Sequence, residues 1–183
     1  MNKFLFSTKS KLLAILSLTL VLASCSDSDE QLPTNATVTI TPASNTWTVV
    51  PNLQTDAEGN EYCVIVEDYY QDEFVTIMVN DSESRAIGNI ELVVSLSLSG
   101  NTFSHYPLVE LYDDLNGNYI PEPEELVSGG DDPLLTTHTE EHTGFKNLIV
   151  RMNLSCEYRA QLRVVAQGYS TSADFEVKAK GEE

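Results

Sequence analysis

The chain is short of positive charge. Ten Lys and Arg residues stand against 28 Asp and Glu, a formal net charge of −18 over 183 residues. A surface this acidic repels phosphates and anionic headgroups, which excludes nucleic acid as a partner and favours solubility and cation binding. Long apolar runs are missing as well. The longest, Leu12 to Ala23, is about a dozen residues, whereas a membrane span needs roughly 20. Beyond residue 25 no stretch has the 3.6-residue periodicity of an amphipathic helix, and no internal repeat is visible. Cysteine is sparse, with three in all, and no His or Asn stands in a nucleophile context beside any of them. Thiol catalysis is therefore disfavoured.

What is present begins with an address. Lys3, Lys9 and Lys11 precede the apolar run, which closes on Leu22-Ala23-Ser24-Cys25. This segment resembles a bacterial lipoprotein signal, in which a Leu and two small residues lead to an invariant Cys. The resemblance implies that residues 1–24 are a helical signal peptide, cleaved before Cys25, and that Cys25 carries the acyl chains. Several chains anchor stably where one does not, because each buried CH₂ adds about 0.8 kcal/mol. Ser26-Asp27-Ser28-Asp29-Glu30 then opens an acidic tether over 25–35. It is either a plain spacer or, by its resemblance to lipoproteins of the Bacteroidota, an export signal for the cell surface. No Asp follows Cys25 directly, so an outer-membrane anchor is expected, with surface exposure as the further implication. Cleavage leaves seven basic against 28 acidic residues, a charge of −21.

Residues 36–183 read as one all-β domain. In 90–98 the even positions are apolar. Tyr158, Ala160, Leu162, Val164 and Ala166 alternate with Arg159, Gln161 and Arg163, and Ala173, Phe175, Val177 and Ala179 alternate with charged residues over 172–180. Period-two alternation places one face in a core and the other in water. Shorter strands are expected at 36–41, 46–50, 61–67, 73–79, 107–112, 134–139 and 145–154. They are separated by turn residues at 58–60, 99–101, 128–131 and 167–171. Such spacings predict an antiparallel, immunoglobulin-like β-sandwich. Tyr158 is either a tyrosine corner or a simple core residue, and the only Trp, Trp47, precedes the first Cys of the domain, unlike antibody domains.

Three side-chain groups carry possible chemistry. Cys63 and Cys156 remain after lipidation, and export favours a disulfide between them over two buried thiols. In 114–125, DLNGNYIPEPEE, Asp114, Asn116, Asn118, Ile120, Glu122 and Glu125 occupy positions 1, 3, 5, 7, 9 and 12 of a twelve-residue calcium loop. The spacing lets alternate side chains and the Ile120 carbonyl converge on one hard cation. The segment resembles the Asp-x-Asn-Gly-Asn-Gly-Ile-Pro-Asp loops of bacterial adhesin B-type repeats, departing at Tyr119, where that pattern has Gly. The resemblance implies bound calcium as the cofactor. Third, His138, Glu140 and His142 would share one face of an extended strand and could hold zinc, the basis of an alternative reading as a metal-dependent envelope enzyme. His105 stands alone. Binding is expected rather than catalysis: the chain reads as a membrane-anchored module for adhesion or surface assembly, with a protein or glycan ligand. Trp47, Tyr69, Tyr70 and Tyr106 are available either for that surface or for the core.

Overall fold

A computed structural model describes residues 32–99, 108–127 and 132–181. The signal peptide, Cys25, most of the tether, His105 and Tyr106 lie outside the described residues. The element order is β1 (Thr37–Thr41), β2 (Ser44–Val49), β3 (Leu53–Thr55), β4 (Glu61–Cys63), β5 (Tyr70–Asn80), β6 (Glu91–Ser99), β7 (Val109–Asp113), a 3-10 turn (Pro123–Glu125), β8 (Leu134–His138), β9 (Phe145–Asn153), β10 (Tyr158–Ala166) and β11 (Tyr169–Ala179). No α-helix occurs among the described residues.

The strands form an immunoglobulin-like sandwich of a four-stranded sheet, β1-β5-β9-β7, and a five-stranded sheet, β2-β11-β10-β6-β8. Every pairing is antiparallel except β2 with β11. The chain changes sheet between β1 and β2, at a cis Thr41–Pro42 bond. It then crosses between the sheets at each step from β6 to β10. The core is the overlap of the alternating faces that the sequence displays. Ile90, Leu92, Val94 and Leu96 meet Leu162, Val164 and Phe175 from one sheet, and Val75, Ile77, Leu111, Leu148, Val150 and Met152 from the other, all essentially inaccessible to water.

Two expectations are corrected, and one that was open is decided. The strand expected over 61–67 stops at Cys63, because Val64 turns its N–H back to the Asn52 carbonyl and Val66 bonds the Ser155 hydroxyl. It pairs with β3, which the sequence did not reveal. The last strand begins at Tyr169. A two-residue turn suffices, because Gln167 and Gly168 both take positive φ, 44° and 92°, as a type I′ hairpin requires. Tyr158 is not a tyrosine corner: its hydroxyl donates over 2.9 Å to the Leu108 carbonyl, fifty residues away, at the entry to β7. It thereby ties one sheet to the other.

Cys63 and Cys156 are joined by a disulfide, with Cα atoms 5.8 Å apart. The bond fastens the end of β4 to the turn between β9 and β10. Around it the Asn52 N–H donates to the Ser155 carbonyl, and the Asn153 amide donates to the Val66 carbonyl.

Candidate metal centre

The segment 114–125 leaves β7 and turns over the outer face of the four-stranded sheet. Its local geometry follows from the amides placed two residues apart. The Asn118 N–H donates to Asn116 Oδ1 at 2.9 Å, and the Ile120 N–H donates to Asn118 Oδ1 at 2.7 Å. Two successive Asx turns coil the backbone tightly, and Gly117 and Tyr119 take left-handed φ of 67° and 60° to complete the coil. Pro123 suits the first position of the 3-10 turn, where no N–H is needed. Glu125, only 3% exposed, then reaches back: its Oε1 accepts from the Leu115 N–H at 2.9 Å and Oε2 from the Glu122 N–H at 3.4 Å. The two ends of the loop are thus tied by one carboxylate.

Asp114 stands apart from this network. It is 5% exposed, and neither carboxylate oxygen has a hydrogen-bond partner. Its neighbour Asp113 is matched by Lys146 in an ion pair that is largely shielded from water. Glu122 turns both oxygens to amides, accepting from Asn116 Nδ2 at 3.2 Å and Asn118 Nδ2 at 3.1 Å. The structure thus brings Asn116, Asn118 and Glu122 together and ties Glu125 to the loop backbone, while Asp114 joins none of them by a hydrogen bond. Among the described residues no group of three or more His, Cys, Asp or Glu side chains converges as a ready metal cage. A cation here needs the amide and backbone oxygens to complete its shell.

Two features of the site have no signature in the local sequence. Tyr119 sets its ring edge-on to Phe74 of β5, centroids 5.4 Å apart, on the outer side of the four-stranded sheet. Phe74 and Tyr112 are in turn the register partners of Ile149, which is fully buried there. After the 3-10 turn the chain pairs with the open edge of β7, Leu126 bridging Tyr112 and the Val127 N–H donating to the Leu111 carbonyl.

Beside the loop, Arg151 makes two hydrogen bonds to Asp72, at 2.7 and 3.1 Å, and lies over the rings of Tyr112 and Tyr70, 5.2 and 5.8 Å from their centroids. The Tyr112 hydroxyl donates to Glu110 at 2.7 Å. Burial, with help from Glu110, pushes this phenol up to about 12. The same cause, burial, raises Tyr158 further.

The zinc triplet is not assembled. β8 ends at His138, and Glu140 to Gly144 form a turn in which the Gly144 N–H donates to the Glu140 carbonyl and the Thr143 hydroxyl to the Glu140 carboxylate. The buried Thr139 forces this, since its hydroxyl accepts from the Ile90 N–H and donates to the Ile87 carbonyl. His138, Glu140 and His142 therefore do not line one strand face. Of the aromatics, Trp47 packs on the core against Phe175, Tyr70 lies under Arg151, and Tyr69 is exposed. A cleft of about 500 Å³ over the five-stranded sheet, bordered by Ser44, Thr46, Ser97 and Ser99, has its polar groups already engaged, Arg159 in an ion pair with Glu176 and the Gln161 amide donating to Asp174.

No family model matches the chain, and no curated protein does. Solved structures with a similar arrangement include a conjugative transposon lipoprotein from Bacteroides eggerthii, 12% identical, covering 79% of this chain and 97% of that one at a TM-score of 0.37. A PapD-like domain of human CEP192 is 11% identical over 88% of this chain and 97% of its own, with a TM-score of 0.36. A DUF4466 family protein from Parabacteroides merdae is 12% identical over 78% of this chain and 44% of its own, with a TM-score of 0.30. Likenesses at this level carry neither ligand nor activity across.

Proposed function

We propose that this chain is a lipid-anchored envelope module that acts by binding, its sandwich stabilised by calcium held in the 114–125 loop. The observation that carries the metal is Asp114, a carboxylate shut away from water with no partner on either oxygen. An uncompensated buried charge costs several kcal/mol, and a divalent cation seated in the coil removes that cost. The ligands would be Asp114, Asn116, Asn118, the Ile120 carbonyl, Glu122 and Glu125. All are oxygen donors, the preference of calcium rather than of zinc or copper. Asn116 and Asn118 each keep a free lone pair on the oxygen that already accepts a loop N–H, whereas Glu122 must turn away from their amides.

The role follows from where the loop sits. It leaves the four-stranded sheet at β7, seals that strand's open edge through Leu126 and Val127, and leads to β8 in the other sheet. A cation there orders a crossover and does no chemistry. Two neutral amides in the shell argue for an affinity like that of extracellular modules, about 10⁻⁴ to 10⁻³ M. The Leu-Ala-Ser-Cys25 motif supports the anchor, and the charge argues for a protein or neutral glycan ligand over nucleic acid. Titration calorimetry with calcium tests the metal. One bound ion is expected, lost in Glu125→Gln; the detection of no bound calcium overturns it.

A further inference from the structure

Each sheet of the sandwich ends in two edge strands, and an open edge is a row of unpaired N–H and C=O groups that another chain can use. Three of the four edges are blunted. On β7, Leu126 pairs with Tyr112 and the Val127 N–H bonds the Leu111 carbonyl. On β2, the Thr46 N–H is taken by the side chain of Asn45, which itself donates to Glu73. On β1, Ile40 is only 6% exposed, and Pro42, next after the strand, has no N–H.

β8 is the fourth, and among the described residues no strand lies on its far side. Its bonds to β6 fix which backbone groups are left over. The Leu96 N–H donates to the Pro133 carbonyl, and the Thr139 N–H to the Ile90 carbonyl. Leu92 stands opposite Thr137 and Val94 opposite Leu135, so the alternation of an antiparallel ladder turns the odd-numbered residues of β8 to β6. The N–H and C=O groups of Leu134, Thr136 and His138 therefore point outward, with no strand to meet them. The same three residues are exposed, Leu134 at 62%. Pro133 lacks its N–H on the β6 side and leaves the outer side untouched. The strand, LLTTH, holds no Lys or Pro to blunt it.

Charge selects the occupant. Leu134–Thr137 is uncharged, while exposed Asp132 precedes the strand and exposed Glu140 and Glu141 follow it. Antiparallel pairing with a second copy about Thr136 would set Asp132 of each chain opposite Glu140 of the other, and like charges directly opposite are destabilising. A different protein with Lys or Arg at the ends of its segment meets opposite charge there. We propose that β8 is the docking edge for an extended segment of a partner protein, uncharged over its middle and cationic at its ends. The segment adds to the five-stranded sheet as a sixth strand. Three outward residues exchange roughly six backbone hydrogen bonds with it, and Leu134 gives it an apolar side chain to cover. The proposal rests on the reading of the chain as a binding module and is independent of the metal.

The test uses the full-length protein in neutral detergent and a labelled peptide with an alternating Val and Thr core between paired lysines. One control is the same peptide N-methylated throughout its core, which keeps the charge and loses the N–H groups. The other carries glutamates at its ends. Fluorescence anisotropy should show the parent peptide binding at least roughly tenfold more tightly than either control. Thr136→Pro removes an outward N–H and no bond to β6, so it should abolish that preference. Thr48→Pro, on the outer side of β2, should leave it intact. In the wild type, the peptide should slow amide hydrogen exchange over residues 134–138. Equal binding of the parent and N-methylated peptides would mean attraction to overall acidity and would overturn the proposal. So would unchanged exchange over 134–138, a preference that survives Thr136→Pro in folded protein, or self-association that Thr136→Pro abolishes.

Discussion

Tyr119 and Phe74 meet edge to face across the gap between the 114–125 loop and β5, with Tyr119 held in a left-handed backbone conformation. The left-handed turn costs a non-glycine residue roughly 1–2 kcal/mol, and the aromatic contact returns about 0.5–1.5 kcal/mol beyond its buried area. The two effects nearly balance, which accounts for the tolerance of a tyrosine at this left-handed position. Tyr119→Ala keeps the cost and loses the contact, whereas Tyr119→Gly loses both. Calcium affinity by calorimetry should therefore fall in Tyr119→Ala and change little in Tyr119→Gly.

Asp114 gives a prediction of opposite sign in two buffers. With chelator present, Asp114→Asn removes an unpartnered buried charge, so the melting temperature should rise. In millimolar calcium the wild type should gain about 1.4 kcal/mol at ten times the dissociation constant, a few degrees for a domain of this size. The variant should gain none. Thermal unfolding with and without calcium measures both.

Reduction separates the β3–β4 hairpin from the sandwich. The disulfide spans 93 residues, so its effect on unfolded-chain entropy is no more than about 4.7 kcal/mol. Thiol labelling of the denatured, unreduced protein should find Cys63 and Cys156 unreactive. After reduction, limited proteolysis should cut within residues 50–69 before it touches β5 or β9.

Alkali should weaken the fold through two buried phenols. Tyr112 and Tyr158 have phenols raised in the folded state, mainly by burial. A raised folded pKa means that stability is intact below the unfolded value near 10 and is lost as pH rises toward the folded one. Between about pH 10 and 12 the unfolded state releases protons that the folded state keeps, so the melting temperature should decline. Tyr158→Phe should make that decline shallower while costing about 1 kcal/mol at neutral pH for its lost bond to Leu108.

Gly88 has no room for a side chain. A Cβ there would lie 1.9 Å from the Glu141 carbonyl oxygen and 2.6 Å from that of Glu140. Gly88→Ala should destabilise the domain by about 2 kcal/mol in denaturant titration. Gly181→Ala, with no atom near its Cβ, should be neutral.

Much of the sandwich could be read from the chain because its central strands have one wet and one dry face. β6, β10 and β11 alternate cleanly, and they are the middle of the five-stranded sheet. β3 escaped because a ribbon exposed on both faces imposes no alternation. The end of β4 was misplaced because Val64, Ile65 and Val66 form an apolar run that serves the ribbon's anchorage instead of a strand. The spacing of Asp114, Asn116, Asn118, Glu122 and Glu125 was visible because Asx turns are local. The isolation of Asp114 was not, since burial depends on which distant elements the loop lies against. The His138 triplet was misread for a related reason. Its geometry is decided by the Thr139 hydroxyl, bonded to Ile87 and Ile90 some fifty positions earlier.

The split of the first edge between two sheets has a mechanical meaning. The covalent path from residue 32 to the hairpin runs through β1, bonded to β5, and then β2, bonded in parallel to β11. A pull between the tether and the hairpin lies along both strands, so it shears their hydrogen bonds together instead of peeling them singly. The load also divides between the two sheets, which Tyr158 already couples through Leu108. A module anchored through its tether would thus resist tension where the chain is most directly loaded.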